Sequence, residues 1–406
     1  MKKLILATAG ILMGALVLPA QQQVVKSAER LVKEGATPAK VLEAITPAFS
    51  DPATAKDANT YFIPGKAFFD EYDQLLGLQQ FNKLPEGGEA AMVDDLLQGY
   101  GLFMKALPLD TVVDAKGKVK TKHSKKIIST LAGHMSDYDR VAIIAFNLPE
   151  YNKAYDAWQV YIDMAQNPAI TSKLPQVPAD SVIGKMYYNM GVAAYQAGNM
   201  ENALKSFTGS VRHDNKTKDA YDNAIQCAAN LNNNELAFEL SREAETLFGK
   251  EDPKYQVFMI NYYLNNKEFD KAFTAIDQAI ANNPGNAQFY VVKGILYDND
   301  SKADEARKMF EKALELEPEN AFALYNMGRS ICEEAYRVSD AAPTTPVESE
   351  KYYNEKIVPL FKKAADYLER SWNINSENPD VLNYLENVYY NLHDEKMLND
   401  VKARKQ

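Results

Sequence analysis

Apolar positions along this chain recur mostly three and four residues apart, the spacing of one helical face, and the stripes come in pairs joined by short polar turns. The clearest pair spans Ala287 to Asn320 and reads AQFYVVKGILYDNDSKADEARKMFEKALELEPEN. Tyr290, Gly294 and Tyr297 mark its first helix, and Ala306, Phe310 and Ala313 its second. Gly294 and Ala306 are small where two helices must approach, while Tyr297 and Phe310 are large enough to fill the space between them. Asp300 to Asp304 is the polar turn that reverses the chain. Pro318 ends the second helix, since it has no N–H to donate and clashes with the preceding turn.

The same register returns at spacings near 34 residues across the C-terminal half. Gly184 to Thr217 supplies Tyr187, Gly191, Gly198, Ala203 and Phe207. Lys218 to Glu251 keeps Tyr221, Ala228, Ala237 and Ala244 but puts Ile225 where a small residue is wanted. Pro253 to Asn286 restores Tyr263, Ala272, Ile276 and Ala279. From Ala321 a first helix carries Leu324, Met327 and Gly328, and its partner, Ala364, Leu368 and Ser371, comes about 24 residues late. An insertion is therefore expected near 337–356, with the stretch Ser339 to Pro346 a loop by composition and the residues after Val347 lengthening the second helix. A last unit opens at Pro379, and Asp394 to Gln406 suits a charged capping helix.

On these residues the chain resembles the tetratricopeptide repeat (TPR) family, specifically so from about Met135 onward. The resemblance implies an all-α fold, a right-handed superhelical solenoid of helix-turn-helix repeats. Before Met135 the pattern degenerates: Tyr61, Gly65 and Phe68 look like a first helix, Leu97, Tyr100 and Phe103 like its delayed second. Helices near Val24 to Lys33 and Pro38 to Ile45 open the array. Four parts are expected: residues 1–20 as a signal peptide, 21–168 as a degenerate N-terminal helical array, 169–183 as a linker, and 184–406 as a C-terminal TPR array. The linker holds Pro175 and Pro178 and suits either a hinge or a rigid joint.

The signal reading rests on Lys2 and Lys3, the uncharged run Leu4 to Leu18, and the small residue Ala20 before a cut. An uncleaved anchor is the rival, but the run is shorter than the roughly 20 apolar residues of a spanning helix. No later stretch is long and apolar enough to span, and no cysteine follows the run as a lipid-attachment site would require. The expected location is the periplasm or outer envelope of a Gram-negative bacterium. Without residues 1–20 the chain has 43 basic and 55 acidic residues, a net charge of −12, which argues against nucleic acid or an anionic membrane as partner. One segment runs against that acidity: DAKGKVKTKHSKK, Asp114 to Lys126, carries six lysines and reads as a solvated loop or as a docking loop for an acidic partner. Cys227 and Cys332, 105 residues apart in helical stretches, are expected as two free, buried thiols.

Catalytic chemistry has no visible home. His123, His134, His213 and His393 never share a helix turn, so no zinc pair forms, and neither a phosphate-binding glycine loop nor a nucleophile elbow occurs. No enzyme activity, cofactor or metal is expected. What the resemblance implies instead is a concave groove lined by first helices. Mapped onto this chain, its residues are Tyr188, Val192 and Tyr195, then Asp222 and Gln226, then Val257, Asn261 and Leu264, and finally Tyr325 and Arg329. Asn223 and Lys254 match only two of the five places of the TPR carboxylate clamp, so chaperone-tail binding is not expected. The expected function is a non-catalytic scaffold that takes a peptide segment or helix of a protein partner. A glycan or cell-wall binding module, using some of the 24 tyrosines, is one alternative, and an accessory subunit of an envelope complex is another.

Overall fold

A computed structural model describes residues 22–113, 117, 119–249 and 252–405. The expected signal peptide, residues 1–20, lies outside them. The described residues are mostly helical and fall into two compact units, divided between Asn233 and Asn234.

In the first unit, α1 (22–33) and α2 (Pro38–Ser50) precede two long helices, α3 (Ala58–Gln80) and α4 (Gly88–Ala106). A two-stranded antiparallel ribbon follows, β1 (Val112–Val113) paired with β2 (Val119–Lys120), the second strand lying in the lysine-rich segment that was expected as a solvated or docking loop. Its base is fixed by Asp110, which is buried and accepts from the backbone N–H of Lys122 at 3.1 Å, His123 at 2.7 Å and Ser124 at 2.6 Å, and from Ser124 Oγ at 2.7 Å. Burial pushes the Asp110 carboxyl up, but these donors outweigh it and hold the group below the usual carboxylate range. The same contacts cap the start of α5 (Ser124–Gly133). Then come α6 (Met135–Asn147), α7 (Tyr151–Ala165), the single turn α8 (Pro168–Thr171), α9 (Asp180–Gln196), α10 (Met200–Arg212) and α11 (Lys218–Asn230).

The second unit holds α12 (Asn234–Phe248), α13 (Lys254–Asn265), α14 (Phe269–Asn282), α15 (Ala287–Asn299), α16 (Ala303–Leu316), α17 (Ala321–Asp340), α18 (Pro346–Tyr352), α19 (Val358–Ile374), α20 (Pro379–Asn391) and α21 (Glu395–Arg404). Residues 341–345 form the loop of the expected insertion. Between α18 and α19 the ladder widens into a π turn, Tyr353–Ile357, just before Pro359, which has no N–H to continue an α-helical ladder.

The division between the two units falls at Asn233, and residues 169–183 lie within the first. That stretch is integrated into the first unit: Ile170 is buried, and α7 packs directly on α9.

One packing device recurs in both units. A Cβ added to Gly191 would stand under 3.0 Å from the Phe207 ring, one on Gly294 under 3.0 Å from Phe310, and one on Gly328 under 3.0 Å from Leu368. Each glycine thus lets a large side chain of the second helix lie on the backbone of the first. A second periodicity is backbone conformation: Gly198, Asn232, Lys267 and Ser301, each between consecutive helices, have φ of 74°, 57°, 60° and 59°. Their even spacing extends the repeat across α11, where the glycine is lost to Ile225.

Candidate functional site

The ten residues expected to line a groove divide evenly between the two units. In the first, Tyr188, Val192 and Tyr195 lie on α9, Asp222 and Gln226 on α11. Tyr188 is half-buried and ties two first helices together. Its ring meets Phe207 edge-on with centroids 5.6 Å apart, and its hydroxyl accepts from Asn223 Nδ2 at 3.4 Å. Burial, with the charge of Asp219 adding to it, pushes that hydroxyl above its ordinary pKa. Asn223, one of the two clamp-like residues, is therefore spent on a neighbouring side chain. Val192 and Asp222 are half-buried, Gln226 is exposed, and Tyr195 at 44% exposure offers the most open aromatic face.

In the second unit the structure separates the predicted residues into two places. Val257 and Leu264 on α13 pack against the core that α13 shares with α14 and α15, while Asn261 faces solvent. Tyr325 and Arg329, one turn apart on α17, join a cluster built from three first helices. Arg329 pairs with Asp298 of α15 and with Glu333 at 3.6 Å, and it also donates to Asn326 Oδ1 at 3.4 Å. Tyr325 meets Tyr384 of α20 edge-on at 6.0 Å. Burial opposes the charge on Arg329, and the carboxylates of Asp298 and Glu333 outweigh it. Burial raises both tyrosine hydroxyls.

Asp298, Glu333 and Tyr384 were not foreseen. A signal for the first existed: Asp298 precedes Arg329 by 31 residues, close to one repeat length, so the two sit on neighbouring first helices. Nothing marked Tyr384, because its contact with Tyr325 spans the insertion.

Chemically the cluster is suited to recognition. Its cation is held by two carboxylates, and its tyrosines are more firmly protonated than in water. Such an array offers hydrogen bonds and an aromatic edge rather than a poised nucleophile or base. Cys227 and Cys332 are buried and free, and burial pushes the Cys332 thiol up to about 12. Among the described residues, no three His, Cys, Asp or Glu side chains gather in a way that would hold a metal ion, and no helix is long and apolar enough to cross a membrane.

With this geometry in place, the chain is a helical-repeat protein. Residues 184–217 and residues 259–321 each match a family described as Tetratricopeptide repeat, so both units carry such repeats. Among solved structures, the chain is similar to YrrB, described as a TPR protein with an unusual peptide-binding site, at 19% identity over 49% of this chain and 89% of that one, TM-score 0.33. It is similar also to PilF of Pseudomonas aeruginosa at 15% identity over 55% and 91%, TM-score 0.41. MamA of Desulfovibrio magneticus RS-1 matches at 19% identity over 46% and 96%, TM-score 0.34. With each TM-score below 0.5, none of these likenesses reaches to function. No curated protein matches the chain.

Proposed function

We propose that this chain is a non-catalytic scaffold of a Gram-negative periplasm or envelope, exported on residues 1–20, that holds a segment or helix of a protein partner against the first helices of its repeats. The observation that carries the reading is the cluster of Tyr325, Arg329, Asp298 and Tyr384. Three successive first helices contribute polar and aromatic groups to one face, as recognition of a peptide requires. Tyr195 and Gln226 add open polar and aromatic positions on the first helices of the other unit. The glycan alternative is less favoured, because stacking on sugars needs broad, open rings. Tyr72, Tyr138, Tyr221 and Tyr255 are instead fully buried, and Tyr188 and Tyr325 are engaged edge-on with other rings.

The test is a crosslinking pull-down of the mature chain from the envelope fraction of its own cell, with mass spectrometry. The proposal expects one or two proteins, reproducibly enriched and lost when Tyr195 and Arg329 are changed to Ala. Retention of cell-wall material with no enriched protein would contradict it and support the glycan reading.

A further inference from the structure

Outside the repeats that match a family, the first unit holds a cleft of about 350 Å³ between α1, α3 and the base of the lysine-rich hairpin. That volume is within the range of ligand pockets. Lysines enter it from three elements distant in sequence: Lys33 from α1, Lys66 from α3 and Lys122 from the hairpin. Two carboxylates stand with them, Glu29 paired to Lys33 at 3.0 Å and Asp70 paired to Lys66. Lys122 is placed differently. Its Nζ donates to the neutral Asn59 Oδ1 at 3.0 Å, and the same oxygen accepts from His123 Nε2 at 2.9 Å. Asn59 is itself oriented, because its Nδ2 donates to Asp57 at 2.7 Å. The floor is apolar, made by Val32, Ile63 and a stacked pair in which the His123 and Phe62 ring centroids lie 3.9 Å apart.

This is a built site. Asp110 anchors the backbone of Lys122 and His123, so the ammonium and the imidazole are presented on a fixed base rather than on a loose loop. Cations outnumber carboxylates in the lining. Both existing ion pairs are single helical-turn pairs at the surface, which hold weakly and exchange readily for an incoming carboxylate. Glu29 and Asp70 leave room for one such group but oppose a run of phosphates. On the far side, Lys66 and Asp70 also line a second hollow of about 210 Å³ with Lys126 and His134, which extends the track along α3.

We propose that this cleft binds an acidic peptide segment of a protein partner, with a carboxylate between Lys66 and Lys122 and a neighbouring apolar side chain on Val32, Ile63 and the Phe62–His123 stack. It is a docking site separate from the first-helix groove. The experiment is fluorescence anisotropy of the full chain with a labelled octapeptide of alternating Glu and Leu, at low salt. The expected result is saturable binding, weakened at least tenfold by Lys66→Gln with Lys122→Gln, and unchanged by Lys83→Gln with Lys185→Gln or by Tyr195→Ala with Arg329→Ala. Circular dichroism melts show whether each variant is folded; if the double Gln variant does not fold, Lys122→Arg with Lys66→Arg, which keeps the charge, is expected to bind within threefold of the parent. No binding would overturn the proposal. So would binding indifferent to the cleft substitutions, or a charge-matched oligothymidylate bound more tightly than the peptide.

Discussion

The two compact units use one packing device but differ in regularity and charge. From Asn234 onward the helix pairs other than α17 and α19 are close to repeat length, and 31 acidic residues face 21 basic ones; up to Asn233 the count is 24 against 24, although helices run to 23 residues and a hairpin interrupts them. Acidity is thus a property of the second unit and not of the whole chain. The first unit shows that the device outlives the motif. Gly65 of α3 lies beneath Phe103 of α4, and Gly99 of α4 beneath Phe69 of α3, a reciprocal exchange in helices too long to be standard repeats. A glycine beneath a large side chain of the partner helix is therefore one way to achieve close helix approach, and it does not depend on repeat length.

The largest expected effect breaks the device in the second unit. Phe310→Ala removes a fully buried ring from above Gly294 and should cost about 3–5 kcal/mol. Hydrogen exchange should report the loss in α15 and α16 and leave α3 and α4 protected.

Next, Asp110→Ala in the first unit strips the acceptor from three backbone N–H groups and a hydroxyl and should cost about 2–3 kcal/mol. Thermal melts would measure the cost, and exchange at the start of α5 would locate it. Unchanged melts would mean that the hairpin base is held by something else.

A pH effect sharpens the contrast between two carboxylates of one unit. Asp95 on α4 is buried, and its Oδ2 has no hydrogen-bond partner. Burial, together with the charges of Glu71 and Asp94, pushes its carboxyl up to about 7 from an ordinary 3.8. Because the unfolded group ionises first, the folded state holds the extra proton between those values, and this contribution to stability falls as pH rises from about 4 to 7. Asp95→Asn should flatten that slope and stabilise the first unit at pH 8 by on the order of 2 kcal/mol, read from melts at pH 5 and pH 8. Asp110, held below the usual range, contributes the opposite slope at lower pH.

The smallest effect concerns the turns. Lys267 and Ser301 adopt left-handed backbone with φ of 60° and 59°, which glycine takes without strain. Lys267→Gly with Ser301→Gly should stabilise the second unit by about 1 kcal/mol in all, measured by urea unfolding.

The sequence was legible where contacts repeat. Gly294 with Phe310, Gly191 with Phe207 and the polar turn around Ser301 could be read because positions of each kind return at multiples of the repeat length. Individual long-range contacts could not. Asp110 reaches residues 12 to 14 positions on, Asn59 meets His123 across 64 residues, and no periodicity announces either. Proline interrupts neither early helix: α2 runs past Ile45 through Pro47, and α3 holds Pro64. The residues expected to line a groove lie on α9, α11, α13 and α17, but the sequence did not show which of them gather. Tyr325 and Arg329 do so through partners on α15 and α20, whereas Val257 and Leu264 are drawn into the core.

The most direct test of the scaffold account is site-specific photocrosslinking in the native envelope. A photoreactive residue is placed at the exposed first-helix positions Tyr195, Gln226 and Asn261, or at the exposed second-helix positions Lys205 and Lys308. The account predicts that the same one or two proteins crosslink from the first-helix positions and not from the second-helix ones. Crosslinks confined to Lys205 and Lys308, or equal from both sets, would contradict it.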